Sequence, residues 1–161
     1  DKKLIFSTLK SKDVKFDKIA SFKEPSKYII YDSRVAYTLN WIMLKTCASN
    51  QFFPMPSSRN SKLNAFNIEV LIRLLNNDKY KVNSIEDINK RYISQRDKRL
   101  FISKEDAYLT MCEVVKDLNR ILYGLYGEEY NKPYYTEMLL FALADTEILK
   151  DIIASLSLEI S

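Results

Sequence analysis

Histidine is absent from the 161 residues of this chain, and with it go the commonest general base at neutral pH and the commonest metal ligand. Ser-His-Asp and Cys-His nucleophilic chemistry and His-rich zinc sites are therefore excluded within the chain. Cysteine is nearly absent as well: Cys47 and Cys112 are the only two, too few to close a structural zinc site alone. A chain of this size does not need a disulfide, so both are read as reduced, helix-packed residues. Glycine occurs twice, at Gly124 and Gly127, and proline four times. All-β folds need frequent tight turns, so this scarcity predicts long helices joined by polar loops. No apolar run approaches the roughly 20 residues of a membrane span. The opening "DKKLIFSTLKSKD" has no apolar core of a secretory leader's length. These absences lead us to expect a cytoplasmic protein with no membrane partner. The opening also lacks an initiator Met, as the C-terminal part of a longer chain would.

What is present has the balance of a folded domain. Hydrophobic residues make up 47% of the chain and charged residues 29%, enough apolar surface for one core, so a single helical domain over 1–161 is expected. The apolar spacing predicts a short helix over 13–22 with Val14, Ile19 and Phe22, and a longer one over 33–48 with Val35, Ala36, Leu39, Ile42, Met43 and Cys47. Two prolines and a serine pair make 51–60 a loop. Periodicity returns over 61–76 through Leu63, Phe66, Val70, Leu71, Leu74 and Leu75. Ser84 with Asp87 resembles a capping box for a short helix through Ile85, Ile88 and Tyr92, and Ser103 with Asp106 does the same for a helix over 104–122. The stripe of that helix is Ala107, Tyr108, Met111, Val114, Val115, Leu118, Ile121 and Leu122, with Gly124 as its stop. Pro133 opens a helix ending near Ala144, with Met138, Leu139, Leu140 and Phe141 packed on the core. Asp145 or Thr146 then caps a last one through Leu156. The sum is an all-α fold, a compact orthogonal bundle of about seven helices. The one strand-like run, "KYIIY" at 27–31, is too isolated to build a sheet.

Three stretches carry candidate chemistry. In "YIIYDSRVAYTLN", Asp32 follows apolar and aromatic residues and directly precedes a helix. As an N-cap it would contribute about 1 kcal/mol. As a functional acid it would feel desolvation from Tyr28, Ile29, Ile30 and Tyr31, opposed by Arg34 and the helix N-terminus. The loop "FFPMPSSRNSK" gathers Ser57, Ser58, Arg59 and Asn60 as donors before a helix, the chemistry of a phosphate or carboxylate seat or of an ordinary cap. Residues 90–99, "KRYISQRDKR", hold five cations and one acid. Lys90, Arg91, Arg96, Lys98 and Arg99 with Tyr92 form either a solvated helix end or a phosphate-tracking patch with a stacking ring. The net charge of +4 fits a polyanion partner without specifying one. Glu137 and Asp145 could face a cleft, although dipole and capping roles explain both.

The run "KIASF" followed by "YIIYDSRVAYTL" resembles the helix-hairpin-helix base-excision DNA glycosylases, over about thirty residues spanning 13–42. Lys18 and Ala20 fall on the Lys-x-Ala of the hairpin, Asp32 on the catalytic acid, and Val35 on the valine of the next helix. Val14 and Phe16 stand where the hairpin has glycines, which marks a divergent, bacterial branch. The resemblance implies a helical fold and DNA as partner; no cofactor and no metal are expected. It implies Asp32 as the carboxylate assisting base departure and Lys18 as an amine nucleophile, a role that requires desolvation. Two readings stay open: a DNA-binding protein excising a modified base, and a non-catalytic helical interaction or nucleic-acid-binding module in which Asp32 is only a cap.

Overall fold

A computed structural model describes residues 16–75, 85 and 100–158. The all-α expectation holds. Among the described residues there is no strand, only an isolated parallel bridge between Phe52 and Phe101. The helices are α1 (Phe16–Lys23), α2 (Ser33–Thr46), α3 (Ile68–Leu75), α4 (Ala107–Tyr123) and α5, which runs continuously through Tyr134–Leu143, a π turn at Ala144–Ile148, and Leu149–Leu158. A single helical turn, Ser61–Ala65, precedes α3. None of these helices is long and apolar enough to cross a membrane.

The helix number is a correction: five among the described residues, not about seven. The expected cap at Asp145 or Thr146 does not interrupt α5. No glycine or proline stands there, and the buried positions Leu140, Ala144, Ile148 and Ile152 recur every fourth residue. A 3.6-residue turn drifts away from such a row. The wider π turn brings it back toward the core. The Thr146 hydroxyl donates to the Ala142 and Leu143 carbonyls at 3.1 and 3.3 Å within that turn. The expected helix over 61–76 is likewise broken. Asn60 caps its first turn through the N–H groups of Lys62 and Leu63, and Asn67 opens α3 by accepting from Glu69 at 2.9 Å and Val70 at 3.3 Å. An asparagine side chain competes with the helical backbone in this way. The Ser84 capping box and its helix lie outside the described residues, Ile85 aside.

The fold is organised around α2. Val35 to Trp41 are buried without interruption, so the first half of this helix is enclosed on every side. It packs against α5 with its π turn and against α3, while α4 packs on α5. One apolar cluster joins Tyr37, Trp41, Phe52, Ile72, Leu100 and Ile152, and a second joins Ile29, Val35, Phe53, Met111, Val115 and Leu140. Two polar groups inside α2 are satisfied by backbone. Thr38 Oγ1 donates to Leu140 O at 2.8 Å, and the Asn40 amide both donates to Phe53 O and accepts from Phe53 N–H at 2.8 Å. Asn40 thereby pins the loop that leads to Ser57.

Several apolar positions differ from expectation. Of Met138, Leu139, Leu140 and Phe141, only Leu140 is buried. A helix flanked by α2 on one side and α4 on another cannot turn four consecutive side chains inward. Ile121 and Leu122 are exposed although the same end of α4 packs Tyr123 against Tyr126 and Tyr135, and Ile19, Phe22, Val70, Leu74, Leu75 and Ile42 are exposed as well. Cys112 is buried in α4 as expected, but Cys47 is exposed at the C-cap of α2 with φ 53°. Ser103 does accept the Asp106 N–H at 3.2 Å, forming the capping turn before α4. Gly124 keeps a right-handed backbone; it is needed because a Cβ there would sit 2.4 Å from Arg120 O.

Candidate functional site

Asp32 is the N-cap of α2. Its backbone is extended, φ −91° and ψ 147°, and Oδ1 accepts the Arg34 N–H at 2.8 Å. The segment before it is drawn taut by backbone bonds to carboxylates. Asp17 Oδ2, from the first turn of α1, accepts the Tyr31 N–H at 3.2 Å. Glu137, from the first turn of α5, takes the neighbouring Ile30 N–H. Three carboxyl groups from three helices thus surround residues 30–32. Burial pushes Glu137 up to about 7, against the lowering effect of the Ile30 N–H, and the charges of Asp32 and Asp17 add to the rise. Glu137 is therefore part-protonated near neutral pH, through desolvation and like-charge repulsion. Among the described residues no group of three His, Cys, Asp or Glu is arranged to hold a metal ion.

Arg34 meets α5 further along, at Phe141 and Asp145. Its guanidinium pairs with Asp145 Oδ2 at 2.9 Å and lies 4.4 Å from the Phe141 ring centre. Asn60 Nδ2 donates to Asp145 Oδ1 at 2.8 Å. The π turn thus brings two of the sequence-named donors, Arg34 and Asn60, together on one carboxylate. Ser58 Oγ accepts the Asn60 N–H at 3.1 Å, an ordinary turn bond. Ser57 and Arg59 are exposed, and Arg59 has no ion-pair partner among the described residues. Lys18 is exposed on α1; its N–H caps onto Asp17 Oδ1 at 2.8 Å, and no ion pair joins its ammonium to Asp32. Lys90, Arg91, Tyr92, Arg96, Lys98 and Arg99 lie outside the described residues.

Two cavities lie along the Pro54–Ser57 segment and share Met55, Pro56 and Ser57. One, of about 270 Å³, is walled by Tyr31, Pro54, Lys104 and Tyr108; the other, of about 230 Å³, by Tyr37, Asn64, Asn67 and Glu69. Asp32 lines neither. Tyr31 donates to Pro54 O at 2.8 Å and Tyr108 to Ile29 O at 3.2 Å, and burial raises the pKa of both phenols.

Sequence reasoning underweighted Glu137 and Asp145 and missed Asp17 as a neighbour of the acid. The spacing carried a usable signal. Glu137, Phe141 and Asp145 recur at i, i+4 and i+8, which places them on one face of a helix, the face that meets residues 30–34.

No family model, no curated protein and no solved structure matches this chain.

Proposed function

We propose that the chain is a DNA-acting protein that hydrolyses the N-glycosidic bond of a modified base, with Asp32 as the essential carboxylate and Glu137 as its proton-donating neighbour. The feature that supports it is Glu137 beside Asp32: two carboxyl groups in one half-buried corner, with burial pushing the Glu137 carboxyl up to about 7. Paired carboxyls of unequal protonation are the usual equipment for glycosidic cleavage. In the step, the C1′–N bond breaks and its electron pair leaves with the base, which takes the Glu137 proton. Asp32 stabilises the cationic sugar until water adds at C1′, and the proton released by that water returns to Glu137. The base must leave the stack to reach this corner. Lys18 has no part in this step: a Schiff-base lysine needs desolvation, and this one is exposed. Arg59, Ser57 and Ser58 remain as phosphate donors, with the 90–99 cations beyond the described residues. Arg34 acts through Asp145, as a positioning residue.

Asp32→Asn tests the proposal because asparagine caps a helix as well as aspartate does. The expected result is loss of base release from lesion-bearing duplexes by at least about 100-fold with unchanged thermal stability. The wild type is expected to lose activity above about pH 7, and Glu137→Gln, with no proton to give, should stay at that low level at every pH. Borohydride should trap no covalent complex on abasic DNA.

A second reading is favoured by one specific feature. Asp32 already spends Oδ1 on its own helix, and Asp17, Asp32, Glu137 and Asp145 make the surroundings acidic, which repels phosphate. On this reading the chain is a non-catalytic interaction module. Asp32→Asn that leaves every nucleic-acid activity unchanged, with no salt dependence of binding, would establish it.

A further inference from the structure

The 270 Å³ cavity beside Pro54–Ser57 is separate from the Asp32 corner and chemically unlike it. We propose that it binds a small planar ring carrying one anionic group, the ring between Tyr31, Tyr108 and the prolines and the anion on Lys104 and Ser57. The walls are apolar faces held in place. Pro54 and Pro56 have fixed φ, and the Tyr31 and Tyr108 rings are anchored by hydroxyl bonds to Pro54 O and Ile29 O. Tyr108 is held further by the Tyr28 ring, 6.4 Å away and within 12° of parallel. Such a slot needs little ordering on binding, which favours a flat ligand. Ala107 closes one side with a side chain too small to fill it.

The polar groups at the mouth specify charge. Lys104 and Ser57 are exposed and neither makes a hydrogen bond or ion pair among the described residues, and no Asp or Glu lines the cavity. Glu69, the acid whose charge reaches Tyr31, is turned to the Met55 N–H at 3.2 Å and to Arg73 at 3.8 Å. Asp17, whose charge reaches Tyr108, accepts the Tyr31 and Lys18 N–H groups and is not part of the lining. The lining therefore presents a hydroxyl and one positive charge with no carboxylate of its own, and a charge-assisted bond to a carboxylate or phosphate is the interaction it can add. The adjoining cavity differs on this point. Its Asn64 amide donates to Ser58 O, and its Asn67 and Glu69 side chains accept backbone N–H groups. In size, the cavity of about 270 Å³ sits just below the range of drug-sized sites, about 300–1,000 Å³, which limits the ligand to one flat ring system with its anion held directly or through a spacer no larger than a ribose.

The test is ligand-detected NMR and equilibrium dialysis with adenosine 5′-monophosphate, adenosine and benzoate as probes. Adenosine 5′-monophosphate should bind at least about tenfold more tightly than adenosine, since one charge-assisted bond is worth about that factor. Lys104→Ala should bring the monophosphate to the level of adenosine and leave adenosine unchanged. Ser57→Trp, a plug at an exposed position, should abolish binding of both, with thermal unfolding confirming that the fold is kept. Benzoate displacing the monophosphate supports the ring-plus-anion class and shows that carboxylates are taken as well as phosphates; failure to displace restricts the site to phosphates. Equal binding of the monophosphate by wild type and Lys104→Ala overturns the proposal, as does the absence of binding by all three probes at about 5 mM. Because Asp32 takes no part, Asp32→Asn should bind the probes as wild type does, whichever reading of that residue is correct.

Discussion

Glu137 is the residue whose chemistry depends most on where it is held. In the fold it keeps its proton up to about 7, with burial as the main cause, whereas an unfolded glutamate loses it near ~4.3. The stability tied to this difference is complete below about pH 4 and is lost as pH rises through about 7. Glu137→Gln keeps the shape and the acceptor for Ile30 N–H but cannot ionise. It should match wild-type stability near pH ~4 and exceed it by about 1–2 kcal/mol at about pH 8, a figure reduced for the partly open position of the group. Chemical denaturation at the two pH values measures this. An equal effect at both would show that the carboxyl is solvated and contributes no proton to the corner.

At the level of elements, side chains that imitate backbone hold loop to helix. Asn40 in α2 meets the N–H and C=O of Phe53 in the manner of a paired strand residue, and Asn119 in α4 donates to Tyr130 O at 3.0 Å while accepting the Thr136 hydroxyl at 3.0 Å. The π turn makes a third such tie, where Asp145 receives Arg34 and Asn60. Asn40→Ala leaves two buried backbone groups at Phe53 unpaired, which should cost about 2–4 kcal/mol. The same change should loosen the Pro54–Ser57 segment, seen as faster hydrogen exchange at Phe53 and Met55. A loss below ~1 kcal/mol would mean that water replaces the amide.

Over the whole molecule, α2 supplies residues to both apolar clusters, and Met43 and Met55 pack against each. Two clusters that share a helix cannot open one at a time without exposing the other, so unfolding should be cooperative. Trp41, the only tryptophan of the chain, reports the first cluster, and amide exchange at Met111 and Val115 reports the second. Both should yield the same unfolding free energy in urea. Two distinct values would divide the chain into independent units and remove α2 as its organising element.

The sequence by itself determined what arises within a few residues. The scarcity of glycine and proline dictated a helical fold, Asp32 was legible as the cap of the helix it precedes, and the Ser103–Asp106 turn and the buried Cys112 followed from local pattern. Each of these depends on hydrogen bonds or spacing inside one or two helical turns. Only the tertiary structure decided the rest. The final two expected helices became one because the core faces a four-residue row, and Met138, Phe141, Ile121 and Leu122 stayed exposed because they do not fall on the buried rows of their helices. The protonation of Glu137 and the capture of Arg34 by Asp145 likewise belong to contacts between segments about a hundred residues apart. Desolvation and ion pairing are set by what stands across a gap, and a linear pattern does not state which faces meet.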